Sequence, residues 1–126
     1  MIEAMLTNEP IPHPLPFAWE EAGAVVEFRG LVRPWENGLR IAGLRYEAYG
    51  SMAVSEMKRI LAELQATHPF THAMVCHRTG FVPSGEAAVS LAIAAKHRGE
   101  AFAAQAAFMD RLKQDVPIWK TEAVPC

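Results

Sequence analysis

The chain has 126 residues, 51% of them hydrophobic and 21% charged, with a formal net charge of -2. That length fits one folded domain and is too short for two, and the composition excludes a disordered chain. A charge so close to zero gives no basic field over the molecule, which excludes nucleic-acid binding driven by general counterion release and leaves any anion site to local clusters.

Residues 1–20 read as an extended, proline-rich lead-in to a single domain that fills the rest of the chain. Four of the nine prolines lie in "NEPIPHPLP", residues 8–16; proline fixes φ and offers no N–H, so this stretch is expected to run as a strap over the surface. The start of the chain lacks the basic and apolar regions of a signal peptide, and no run reaches the ~20 apolar residues of a membrane span. Two cysteines, Cys76 and Cys126, make no disulfide framework and no Cys/His spacing suits zinc, so the expectation is a soluble, cytosolic protein with no metal.

"AGAVVEFRGLVR", residues 22–33, has the β-branched, apolar character of a strand, with Gly30 marking a bulge or a close backbone approach. Asn37-Gly38 favours positive φ and suits a hairpin into "LRIAGLRYEAY", residues 39–49, so these two strands are expected to pair. From Ser51 to His68 the spacing becomes helical, with Met57, Ile60, Leu61 and Leu64 on one face, and Pro69 ends the helix. Residues 71–80 form a short apolar strand, and residues 87–96 alternate Val89, Leu91 and Ile93 with small residues in a second. An alanine-rich helix follows over 99–116, with Phe102, Ala106, Met109 and Leu112 as its buried stripe, closed by Pro117 before an extended Ile118-Trp119-Lys120. Strand pairs separated by helices imply an α+β fold with a mainly antiparallel sheet.

Chemistry concentrates in few places. Lys96, His97 and Arg98 sit where a strand meets a helix N-terminus, whose free N–H groups favour a phosphate or carboxylate; alternatively the three are solvated and Glu100 pairs with one of them. Of the adjacent pair His77-Arg78, alternation lets at most one side chain enter a given site, and a structural role is expected. Cys76, inside an apolar run, reads as a small buried hydrophobe. Lys113 fits a helix C-terminus. Lys120, after Trp119 on an extended segment, reads as an edge-strand charge, or as a lysine tuned by aromatic or cationic neighbours. Trp35 in the turn reads as a hydrophobic contact, and Arg33 as an ordinary strand-end arginine.

The four motifs "GAVVEFRGLVR", "HRTGFVPSGE", "KHRGEAF" and "LKQDVPIWK", in this order and spacing, closely resemble the catalytic (large) subunit of molybdopterin synthase, over about residues 21–122. The resemblance implies an α/β-hammerhead fold and a sulfurtransferase of molybdenum cofactor biosynthesis that needs no metal or other cofactor. Such enzymes convert cyclic pyranopterin monophosphate to molybdopterin with sulfur from the C-terminal thiocarboxylate of a small ubiquitin-like subunit. It further implies a central homodimer with one small subunit at each end, a heterotetramer. Matched motif by motif, Lys113 and Lys120 fall on the family's active-site lysines, Arg33, His97 and Arg98 on its substrate-binding cations, and Phe28 on a pocket-lining aromatic. All five cations are therefore expected to face one pocket. Lys96 stands where the family usually has a small residue, and family members commonly continue past the Trp-Lys motif. A noncatalytic scaffold that binds a ubiquitin-like tail or a phosphorylated ligand is the alternative reading.

Overall fold

Eight strands and two helices make up the computed structural model, which describes residues 1–16 and 19–126; Phe17 and Ala18, inside the expected lead-in, lie outside the described residues. The chain begins with a strand rather than a lead-in. Ile2–Thr7 (β1) runs parallel to Phe70–Arg78 (β5), from Ile2 opposite Ala73 to Thr7 opposite Arg78. Ala87–Ala95 (β7) pairs antiparallel with β5 on one side and with Ala24–Leu31 (β2) on the other, giving the order β1-β5-β7-β2. The expected pairing of 22–33 with 39–49 does not form. The Asn37-Gly38 turn is there, with φ of 52° and 79°, but it closes Leu39–Ala48 (β4) onto the two-residue strand Trp35–Glu36 (β3). The Arg33-Pro34 step separates β3 from β2, because proline withholds a ladder donor and restricts the residue before it. β4 is the centre of a second sheet, flanked antiparallel by Gly80–Pro83 (β6) and Ile118–Pro125 (β8). Both sheets are antiparallel except at β1, so the class is α+β as expected.

Gly23, at the head of β2, donates to the Ala95 carbonyl at 3.0 Å. Gly30 sits where a bulge was expected: the β2–β7 register shifts between Gly30 and Leu31, and the close neighbour there is a side chain, Val89 Cγ1, which an added Cβ would meet at 2.8 Å.

Both helices cover one face of the first sheet. Gly50–Thr67 (α1) buries Met57, Ile60, Leu61 and Leu64, the stripe its sequence predicts. Arg98–Asp115 (α2) buries Ala101, Ala104, Phe108 and Leu112; of the expected stripe Leu112 is buried and Met109 partly so, whereas Ala106 is exposed and Phe102 is 56% exposed. Alanines on all sides give this helix little amphipathic contrast, and the small Ala101 and Ala104 let its backbone approach the sheet closely. These residues join Val75, Val89, Leu91 and Ile93 in the main core. The opposite face of the sheet is sealed by residues 8–16, whose Ile11 and Leu15 pack on Met74, Cys76 and Ala92. That strap is pinned where the Leu15 amide donates to Glu27 Oε1 at 2.9 Å. Covered on both faces and on both edges, all nine residues of β7 are buried. A third, smaller core of Val32, Ile41, Leu44, Val82 and Ala88 joins the two sheets.

Candidate active site

A cavity of about 570 Å³ opens where the two sheets meet the C-terminal end of α2. Its construction starts from the end of that helix. Val116 caps α2 with its N–H on the Leu112 carbonyl, and Pro117 cannot continue the helix. The turn is tight: the Ile118 amide donates to the Val116 carbonyl at 2.8 Å, and the Tyr49 amide donates to the Pro117 carbonyl at 3.1 Å. The chain then enters β8 antiparallel to β4, with Lys120 opposite Tyr46 and Trp119 opposite Glu47. Lys113, on the last turn of α2, and Lys120 thereby line the same cavity, as do Arg33 and Phe28.

His97 and Arg98 are not brought there. Together with Lys96, Gly23 and Ala24 they line a separate shallow cleft at the N-terminal end of α2. The reason is geometric. Arg98 and Lys113 lie at opposite ends of an 18-residue helix, which separates them by roughly 20 Å along its axis at ~1.5 Å per residue. Lys96, His97 and Arg98 are exposed, and no ion pair joins Glu100 to any of them among the described residues.

Lys120 is not a lone cation. Its Nζ lies 3.4 Å from Glu36 Oε2, with the lysine side chain 53% exposed. Glu36 and Trp35, from the hairpin, form part of the cavity wall. Trp119 meets Tyr49 edge-on at 5.1 Å between ring centroids, which braces β8 against the start of α1.

The cavity also contains groups whose importance is not evident from sequence. His77, 6% exposed, lines it, whereas Arg78 points to the other face of β5 and pairs with Glu86 at 2.7 Å. The His77 ring lies edge-on to Tyr46 at 5.4 Å. Burial pushes the His77 imidazole below the ordinary histidine value, and burial followed by the nearby Glu36 carboxylate pushes the Tyr46 hydroxyl up. Both are neutral near pH 7. The only sequence sign of His77 is that an apolar run, "AMVCH", ends on an imidazole, which then has to be buried and hydrogen-bonded. Cys76, one residue earlier, is buried on the strap side with its thiol pushed up by burial, which suits a small hydrophobe and not a nucleophile. Among the described residues no cluster of His, Cys, Asp or Glu could hold a metal ion, and no helix is long and apolar enough to cross a membrane.

The family model described as MoaE protein matches residues 8–115. The molybdopterin synthase catalytic subunit of Bacillus subtilis (strain 168) is 45% identical over 102 residues, covering 81% of this chain and 65% of its own. That of Oryza sativa subsp. indica is 46% identical over 101 residues, covering 80% and 52%. This chain thus spans between half and two thirds of the length of these curated relatives. Among solved structures, the crystal structure of molybdopterin synthase from Staphylococcus aureus superposes with a TM-score of 0.86 at 35% identity, over 92% of this chain and 87% of that one. A family match over most of the chain and a shared fold at this level lead to one conclusion: the chain belongs to the MoaE protein family.

Proposed function

We propose that the chain is the catalytic subunit of a molybdopterin synthase, a sulfurtransferase that converts cyclic pyranopterin monophosphate to molybdopterin. The observation that carries this reading is the meeting of Lys113, Lys120 and Arg33 at one cavity, in a chain 45% identical to a relative named for that activity. Arg33 would hold the phosphate through charge-assisted, bidentate hydrogen bonds, the strong kind. Phe28 and the neighbouring apolar wall would flank the pterin. The sulfur donor is the thiocarboxylated tail of a small ubiquitin-like subunit. As its sulfur attacks and the cyclic phosphate opens, negative charge develops that two ammonium groups fixed in place can stabilise. Lys120 would exchange its Glu36 partner for the substrate anion at small cost, because an exposed ion pair is worth ~0–1 kcal/mol. In this reading the enzyme works in the cytosol, where Cys76 and Cys126, both free, stay reduced.

The same reading makes the enzyme a homodimer. Ala24, at one end of β2, borders the His97–Arg98 cleft, and Phe28, Gly30 and Leu31, toward the other end, border the cavity. Among the described residues β2 is an edge strand with one side unpaired, and Val25 and Leu31 are about half exposed. A two-fold antiparallel pairing along that edge would lay the cleft of one copy against the cavity of the other. His97 and Arg98 of a second copy would then complete the substrate site.

Reconstitution with a thiocarboxylated small subunit and cyclic pyranopterin monophosphate tests the reading. Dithiolene product is expected from the wild-type chain, and a loss of about 100-fold or more in rate from Lys113→Ala, the scale of losing one electrostatic stabiliser. Lys113 is exposed, so the variant should keep its fold. Capture of the small subunit without sulfur transfer would instead identify a scaffold, and Lys113→Ala at the wild-type rate would remove the lysine from the chemistry.

A further inference from the structure

We propose that His77 is a substrate-binding residue of this cavity: its Nε2 accepts a hydrogen bond from an N–H of the bound heterocycle and so sets which end of the substrate faces the cations. The proposal rests on the molybdopterin synthase reading above and adds to it a residue and an orientation.

The argument begins with the tautomer. His77 Nδ1 lies 2.9 Å from the carbonyl oxygen of Arg78. A carbonyl only accepts, so Nδ1 carries the proton and the lone pair of the neutral ring is on Nε2. Among the described residues nothing donates to Nε2, and that atom is not one of the side-chain atoms sealed from solvent. His77 as a whole is nevertheless 6% exposed and lines the cavity. The lone pair is therefore left without a donor among the described residues, on a side chain that lines the cavity.

Its surroundings keep it an acceptor. Burial disfavours the imidazolium, and the hydrogen bond to the Arg78 carbonyl only partly offsets it. Tyr46 holds the ring edge-on and lies opposite Lys120 across the β4–β8 ladder, so one residue contacts the imidazole and neighbours a cation of the site. The cavity is thus bipolar. The rim, with Lys120 half exposed, takes an anion; the floor offers a fixed neutral acceptor, which repels an ionised phosphate and pairs with a donor. A ligand that satisfies both carries its phosphate at one end and a ring N–H at the other, and a site built to accept such a hydrogen bond discriminates against analogues that lack the donor.

Two measurements test this. In the first, the wild-type chain is labelled with ¹⁵N-histidine and titrated with cyclic pyranopterin monophosphate, with calorimetry in parallel to establish saturation. The His77 Nε2 resonance is expected to move away from its lone-pair position, and inorganic phosphate, which reaches only the cations, is expected to leave it in place. In the second, His77→Leu is expected to raise the substrate KM by about tenfold, the scale of one lost hydrogen bond to a buried partner, with little change in kcat, and His77→Gln, which restores an acceptor, is expected to recover most of the loss. Saturation by the pterin with no movement of Nε2 overturns the role of His77 and leaves the proposed function standing. Failure of the pterin to bind at all overturns both. If His77→Leu does not fold, the titration of the wild-type chain decides alone.

Discussion

His77 is also where the cavity and the stability of the fold are coupled. Its imidazole lies below the ordinary value of 6.5 because burial penalises the charged ring, an effect that the hydrogen bond to the Arg78 carbonyl only partly offsets. A histidine whose folded value is depressed binds a proton more readily in the unfolded chain, so its contribution to stability is complete above pH 6.5 and is lost as pH falls from there toward the folded value. The charged and titratable groups around it are Arg78 on its own strand, Arg33 after β2, Glu36 on β3, Tyr46 on β4, Lys113 on α2 and Lys120 on β8. His72, lowered by burial and by the N-terminal ammonium, adds a slope of the same sign. Denaturant unfolding at pH 7.5 and 5.5 is therefore expected to show the wild-type chain losing stability on acidification, with His77 contributing at most about 1.4 kcal/mol per pH unit. His77→Gln should remove its share and leave that of His72. Identical slopes for the two proteins would mean that the ring is hydrated in solution.

At the scale of the element, β4 carries the site without supplying most of its chemistry. It holds β6 on one side and β8 on the other, and β8 brings Lys120 to the cavity. Gly43 makes that three-strand contact possible: an added Cβ would meet the Val82 carbonyl oxygen at 2.3 Å and Phe81 Cε1 at 2.7 Å. The carbonyl belongs to the backbone of β6 and cannot rotate away, so Gly43→Ala must push the strands apart. A lower urea midpoint is expected, equivalent to about 1–3 kcal/mol for such overpacking, together with reduced turnover because Lys120 moves with the sheet. An unchanged midpoint would show that β6 yields freely.

The same element shows what local sequence can and cannot specify. Asn37-Gly38 announces a hairpin, and the hairpin exists, but which strands assemble around it depends on pairings as distant as Tyr46 with Lys120, which no local pattern encodes. α1 was legible down to its buried face because Met57, Ile60, Leu61 and Leu64 contrast with charged neighbours. In α2 the helix was legible and its face only in part, at Leu112 and Met109, since alanine is compatible with either side. β1 was missed for a related reason. "IEAMLT" has little strand character of its own, and its partner β5 lies some 70 residues away. For the site, Lys113, Lys120, Arg33 and Phe28 could be named from motifs, whereas His77, Tyr46 and Glu36 come to the cavity through burial and long-range register.

For the whole molecule, the open question is why five cations expected in one pocket occupy two. Within one chain the separation is fixed by α2, a rigid element of 18 residues with Arg98 at its head and Lys113 near its end. β2 spans a comparable distance, about 26 Å for eight residues at ~3.3 Å each, with the cleft at one end and the cavity at the other. Two-fold symmetry inverts that strand in a second copy and can close the gap without bending either element. The consequence is measurable by mixing inactive variants. If each site takes Lys113 from one copy and Arg98 from the other, a mixed dimer of Lys113→Ala and Arg98→Ala chains has one site with both defects and one site with neither. Equal mixing, with unfolding and refolding or co-expression to exchange subunits, is expected to restore roughly a quarter of wild-type turnover, since half the dimers are mixed and each of those has one intact site. If both residues serve a site within a single chain, every site in the mixture carries a defect and no activity returns. Restored turnover would therefore place the two clusters in one site across the dimer, and its absence with both variants folded and dimeric would confine catalysis to the cavity of each chain.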